Sequence, residues 1–149
     1  MKIVQKTSRF PASREEVFAK LQKLSTLQYI AKPFAYFYPA EKSRSLIWRE
    51  GEDYIFVFRL FGFIPMGIHR IHIERFDKDI ISSREGNRFV PLWNHTIYLK
   101  QIGNDTQYTD EVRIEAGWKT IFVYLWAKAF YAHRQKRWIR LLNKKDREN

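Results

Sequence analysis

"GWKTIFVYLWAKAFYAHRQKRWIRLLNKK", residues 117–145, is the stretch whose reading decides the fold. It runs without proline, and its apolar residues recur at helical spacing, which predicts one long C-terminal helix. Trp118, Phe122, Leu125, Trp126, Ala129 and His133 fall on one stripe, expected to lie on a sheet. Tyr124, Tyr131 and Trp138 share the opposite flank, so the first half is apolar nearly all round. Such a helix is buried on more than one side or meets a partner. Beyond His133 the stripe becomes Lys136, Arg137 and Arg140. The helix is therefore expected to run past the sheet edge as a solvated basic end, with cations at the negative end of its dipole.

A long apolar helix needs something to lie on, and the residues before it supply a sheet. "KIVQKTSRF" (2–10) is rich in β-formers and reads as a strand. In "PASREEVFAKLQKL", Ser13 and Glu16 have capping-box spacing, and Val17, Phe18, Leu21 and Leu24 give the helix one apolar face. "STLQYIAKP" predicts a second short helix, capped by Ser25 or Thr26 and stopped before Pro33. From Phe34 to Glu115 the period is two. "AYFYP", "SLIWREG", "DYIFVFRLFG", "MGIHRIHIERFD", "DIISSREG", "WNHTIYLKQIG" and "TQYTDEVRIEAG" read as strands joined by short turns, an antiparallel meander.

Alternation assigns the faces. Tyr54, Phe56, Phe58 and Leu60 point inward and Arg59 outward; His95, Ile97 and Leu99 point inward, as do Tyr108, Asp110, Val112 and Ile114 on the next strand. His95 and Asp110 are thus the polar residues of the inner face. A hairpin turning at Asn104–Asp105 sets His95 opposite Ile114 and Asp110 opposite Leu99. That register leaves them four positions apart, roughly 13 Å at about 3.3 Å per residue, too far for a direct hydrogen bond.

Composition bounds the chemistry. The 149 residues suit one domain with a sizeable core, 1–149, and 17% are aromatic. There is no cysteine, which excludes disulfides, thiolate catalysis and zinc–thiolate sites. "MKIVQKTSRF" has no apolar h-region, and no run approaches the roughly 20 apolar residues of a membrane span, so the expectation is a soluble cytoplasmic protein. Net charge is +11, and the segment from Trp118 onward holds nine Lys and Arg against two acids. A basic tail rather than a basic body, with aromatics on predicted buried faces, argues against nucleic acid. His69 and His72 lie on opposite faces of one strand with no acidic cluster, so no metal site is expected. No phosphate-binding loop is present and no cofactor is expected.

Strand, two short helices, a curved antiparallel sheet of six to seven strands and a long C-terminal helix make an α+β helix-grip arrangement. In this order the elements resemble the START-like (SRPBCC) superfamily, and more narrowly its bacterial ligand-binding, polyketide-cyclase-like branch. "LFGFIPMGIHRIHIERFD" is similar to that branch's central hairpin with its Gly–apolar–Pro turn. "RFVPLWNHTIYLKQIGNDTQYTDEVRIEAG" is similar to its W-x-H strand followed by a Thr and an inward Asp. "AFYAHRQKRW" resembles its helix end, with Phe130 and Tyr131 followed by Arg134. One departure is Ala116 before Gly117, where family members commonly have Pro.

The resemblance implies a cavity between sheet and helix that takes a hydrophobic small molecule or lipid. From the sheet, Phe56, Phe58, Trp93, His95, Ile97, Tyr108 and Asp110 are expected to touch the ligand. From the helix, Trp118, Phe122, Trp126, Phe130 and His133 are. Phe61, Phe63, Ile64 and Met66 cluster at a hairpin tip, as a cavity gate or interaction loop, or folded back over the core. Three functions stay open: a carrier or sensor of an apolar compound; a cyclase or aromatase using His95 or Asp110 as acid or base; and a membrane-peripheral or protein-interaction module. The chain is expected as a monomer or homodimer.

Overall fold

A computed structural model describes residues 1–40 and 47–148, with side chains through Asn143. The elements are β1 (Lys2–Phe10), α1 (Arg14–Leu21), α2 (Leu24–Ala31), β2 (Ala35–Pro39), β3 (Asp53–Leu60) and β4 (Ile64–Phe76). Then come β5 (Ile80–Asn87), β6 (Leu92–Ile102), β7 (Asp105–Glu115), a 3-10 turn (Gly117–Lys119) and α3 (Thr120–Glu148). The seven strands form one antiparallel sheet in the order β1-β7-β6-β5-β4-β3-β2. This is the α+β helix-grip arrangement that the element order predicts. Register shifts at Phe58/Arg59 and Ile73/Arg75 interrupt the ladders of β3 and β4, the irregularities that bend a sheet.

α1 starts as expected: Ser13 is its N-cap and Ser13 Oγ accepts from the Glu16 N–H at 3.2 Å. α2 does not. Neither Ser25 nor Thr26 caps it; it begins at Leu24 behind Lys23 without a side-chain cap, and Thr26 is buried within it. Of the expected strand at 45–51, Ser45 and Leu46 lie outside the described residues and 47–51 form no strand. Gly51, at φ +80°, turns the chain there, and Trp48 folds inward onto Tyr54 and Phe56, with ring centroids 4.7 and 5.8 Å away.

The β6–β7 hairpin turns at Gly103–Asn104, with Ile102 paired to Asp105. Gly103 takes φ +58°, which a tight two-residue turn needs. The register expected from a turn at Asn104–Asp105 is therefore wrong by two residues. His95 faces Val112, and Asp110 faces Ile97.

The last helix lies on β1, β7 and α2 with a different face from the one expected. After Thr120 at its start, its buried residues among those described are Ala127, Phe130, Tyr131, Arg134, Gln135, Trp138 and Leu142. Trp118, Phe122 and Leu125 of the expected inner stripe are 81%, 64% and 56% exposed, and Ala129 is exposed too. As far as Leu142 its C-terminal half is no solvated tail. Trp138 is fully buried and stacks on Phe10 and Tyr108, with centroids 5.5 and 5.7 Å away. Among the described side chains of that half, Lys136, Arg140 and Asn143 are exposed; Arg137 donates from Nε and Nη2 to the Tyr29 carbonyl.

Candidate functional site

α3 packs mainly on β1, β7 and α2, which leaves a gap between its first half and the inner faces of β3–β6, bridged at β6 where Trp93 meets Trp126 and Tyr131. The gap is a cavity of about 550 Å³. Phe56, Phe58, Ile71, Ile73, Ile81 and Ile97 line its sheet side, and Phe122, Val123, Trp126 and Phe130 its helix side. Leu21 and Leu27 reach it from α1 and α2, while the exposed Trp118 and half-buried Lys119, Leu60 and Met66 stand at its mouth.

Of the residues expected at a ligand, Phe56, Phe58, Trp93, His95, Ile97, Trp118, Phe122, Trp126 and Phe130 line this cavity. Tyr108, Asp110 and His133 do not. Tyr108 is fully buried against Phe10, 4.5 Å between centroids, in the dry core. His133 Nε2 bonds the Lys32 carbonyl at 2.6 Å and its ring stacks on Phe34, outside the cavity. At the β3–β4 tip, Phe63 is 73% exposed and Ile64 is exposed, Phe61 rests partly on Phe34, and Met66 turns into the cavity.

Asp110 sits one layer behind the cavity. With the true register, Asp110 and His95 are diagonal neighbours, and His95 Nε2 bonds Asp110 Oδ1 at 2.7 Å. The separation of roughly 13 Å expected from the other register is overturned. Asp110 Oδ1 also accepts from Tyr108 Oη at 3.3 Å, and Oδ2 from Gln135 Nε2 at 3.0 Å. Gln135 is anchored in turn on the Lys6 carbonyl and by Ser8 Oγ. Burial pushes the Asp110 carboxyl up, but the neighbouring Arg134 guanidinium and the bonds from His95 and Gln135 outweigh that and hold it below the ordinary carboxylate range. As a carboxylate it only accepts, so His95 Nε2 carries the proton. His95 Nδ1 has no partner among the described residues, and the ring lines the cavity.

A second polar group on the same wall was not singled out from sequence. Glu85 accepts from His69 Nε2 at 2.8 Å and from Ser83 Oγ at 2.6 Å, and Asn87 Nδ2 bonds His69 Nδ1 at 3.1 Å. All four residues line the cavity, as does Arg134. Burial raises the Glu85 carboxyl, and the hydrogen bonds from His69 and Ser83 work against it and bring it below its usual value. Ser83, Glu85 and Asn87 alternate along β5, a legible signal, but alternating polar residues are ordinarily read as the solvent face. Burial pushes the Tyr131 phenol well up, so it stays a neutral hydroxyl, and it accepts from Trp93 Nε1 at 3.2 Å. Buried N–H groups of Trp48, Trp126 and Arg134 (Nε) have no partner, although neighbouring atoms cover them. Among the described residues no group of three or more His, Asp or Glu could hold a metal ion, and no helix is long and apolar enough to cross a membrane.

No protein-family model matches this chain, and no curated protein is similar to it in sequence. Solved structures do match in shape. A protein from Arthrobacter aurescens superposes with TM-score 0.76 at 10% identity, over 95% of this chain and 86% of that one. A START superfamily protein from Mycobacterium smegmatis gives 0.73 at 10% identity, over 95% and 97%. DynU16, a protein of the dynemicin biosynthetic locus, gives 0.65 at 16% identity, over 96% of this chain and 48% of its own. Together with the seven-stranded sheet gripped by one long helix, these likenesses establish that the chain has the START-like (SRPBCC) helix-grip fold.

Proposed function

We propose that this protein binds one hydrophobic or amphipathic small molecule between the sheet and the first half of α3, as a carrier or sensor. The observation that carries this reading is the cavity of about 550 Å³, within the roughly 300–1,000 Å³ range of small-molecule sites. Its lining is what such a site needs: aromatic and aliphatic side chains supply affinity through apolar burial, and a few fixed polar groups orient the ligand. The test is native mass spectrometry of the protein purified from its own host, followed by organic extraction. An apolar compound at near one-to-one stoichiometry is expected. A clean apo protein that also ignores fatty acids, quinones, long-chain amines and alcohols, and aromatic polyketides would contradict the reading.

One observation favours a second reading, acid–base catalysis of the cyclase or aromatase type. His95 presents Nδ1 to the cavity while Asp110 holds its other nitrogen, the arrangement in which a carboxylate fixes the tautomer of a general base. Asp110, behind the cavity, would be a positioning residue. His95→Gln then abolishes turnover of a polyketide-like substrate while leaving its binding within about threefold; equal loss of both removes the catalytic reading.

A further inference from the structure

The polar wall of the cavity is suited to one kind of head group. Asn87 Oδ1 accepts the backbone N–H groups of Phe89 at 2.8 Å and Val90 at 2.9 Å, which fixes the orientation of its amide. Its Nδ2 is thereby the atom that meets His69 Nδ1. An amide NH₂ only donates, so His69 Nδ1 accepts, and the ring proton sits on Nε2 and points at Glu85. A second proton on that ring would set N–H against N–H. Glu85 therefore receives hydrogen bonds from an imidazole and a hydroxyl, which occupy part of its roughly four acceptor positions.

No Lys or Arg among the described residues forms an ion pair with Glu85. The other charged groups at the cavity are engaged elsewhere. Arg134 lies beside Asp110 and 5.6 Å over the Tyr131 ring, and Lys119 Nζ donates to the Phe89 carbonyl at 2.8 Å. His95, close to Glu85, already gives its Nε2 proton to Asp110. Unlike the covered indole and guanidinium N–H groups, the Glu85 side chain keeps 13% of its surface accessible.

We propose that the cavity takes an apolar compound whose head is a protonated amine, with the ammonium donating to Glu85. This rests on the ligand-binding reading above and narrows it. A carboxylate in a low-dielectric wall, held by these two donors, is short of positive charge. An ammonium brings that charge and three donors. Aromatic faces for the cation are at hand: Trp93 pairs with Glu85 across β5 and β6, and the Phe58 ring lies 5.8 Å from His69. A fatty-acid head would instead meet Glu85 as a like charge.

The test uses three probes of equal chain length, dodecylamine, dodecanol and dodecanoate, titrated calorimetrically into the whole chain at pH 7 below their micelle concentrations. The amine is expected to bind at least tenfold more tightly than the alcohol, and dodecanoate most weakly. The chain's net charge of +11 favours dodecanoate, so that ranking cannot come from the overall field. Glu85→Gln should erase the amine's advantage while leaving dodecanol within about twofold. Dodecanoate binding best, or an amine advantage that survives Glu85→Gln, overturns the proposal. The wild-type ranking decides it even if the variant does not fold. Alcohol binding without amine preference overturns the head-group assignment alone, whereas failure of all three probes takes the ligand-binding reading with it.

Discussion

The two halves of α3 do opposite work. Its C-terminal half closes a dry core: Trp138 and Leu142 meet Phe10, Tyr108, Val17 and Leu21, with Trp138, Phe10, Tyr108 and Val17 fully buried. Its first half packs only one edge, Ala127, Phe130 and Tyr131, on Val4, Val112 and Ile114, leaving Phe122 and Leu125 largely in water and a cavity beneath Val123, Trp126 and Phe130. The apolar half is the open one, and the basic half is the anchored one. Helix composition alone therefore does not say which part of a helix carries the fold. What decides it is what lies opposite: β1 and β7 run under both halves, but the second half is sealed by Phe10, Val17, Leu21 and Tyr108, whereas the first faces the cavity on its β3–β6 side.

That contrast breaks most sharply at the packed end. Trp138→Ala should cost about 3–5 kcal/mol in chemical denaturation, the range for a large aromatic lost from a full core. Asp110→Ala should cost a similar ~3–5 kcal/mol, because it leaves the buried donors of His95, Tyr108 and Gln135 without an acceptor and removes the charge near buried Arg134. The pH dependence carries a sign. The folded carboxyl lies below its unfolded value, so its contribution is complete at neutral pH and is lost as pH falls below about 4 toward the depressed folded value. Asp110→Asn should flatten that acid limb of the stability curve; an unchanged limb would remove Asp110 from the account.

The open end sharpens the comparison through function and local geometry. A Cβ added at Gly86 would stand 2.4 Å from the Pro91 carbonyl oxygen, so Gly86→Ala should cost about 1–3 kcal/mol and disturb Glu85 and Asn87 on either side. Val123→Trp should fill the cavity, with ligand affinity falling at least tenfold, about 1.4 kcal/mol, and the melting temperature changing little. At the small end, Trp118→Ala should alter stability by no more than about 0.5 kcal/mol. A loss comparable with Trp138→Ala would mean that the turn leading into α3 is as firmly packed as its far end.

The strands and helices were largely legible because period-two and helical patterns are written in the apolar residues. Three features of the site were not. From Ile121 to Ala127 every residue is apolar or aromatic, so periodicity does not fix the phase of α3 there. In the second half the buried face contains Arg134 and Gln135, which read as solvent residues until Asp110 is seen beneath them. The β6–β7 register failed for another reason. A slip of two residues leaves every side chain on its own face, so alternation is blind to it. The turn at Gly103–Asn104 brings His95 and Asp110 into contact, and "IGNDT" accommodates either turn by composition. The Glu85–His69 pair was not legible, although His69 was considered as a metal ligand, because a carboxylate and a histidine on separate strands become a pair only through the β4–β5 register.

The five tryptophans allow the central claim, a ligand under the first half of α3 and none under the second, to be read from one spectrum. Trp48, Trp93 and Trp126 line the cavity, Trp118 stands at its mouth and Trp138 is sealed in the core. The measurement is the indole N–H region of a nitrogen-15 NMR spectrum during titration with dodecanol. The account predicts saturable shifts of the Trp48, Trp93 and Trp126 signals with Trp138 unmoved. Movement of Trp118 alone, or of Trp138 together with the rest, would contradict it.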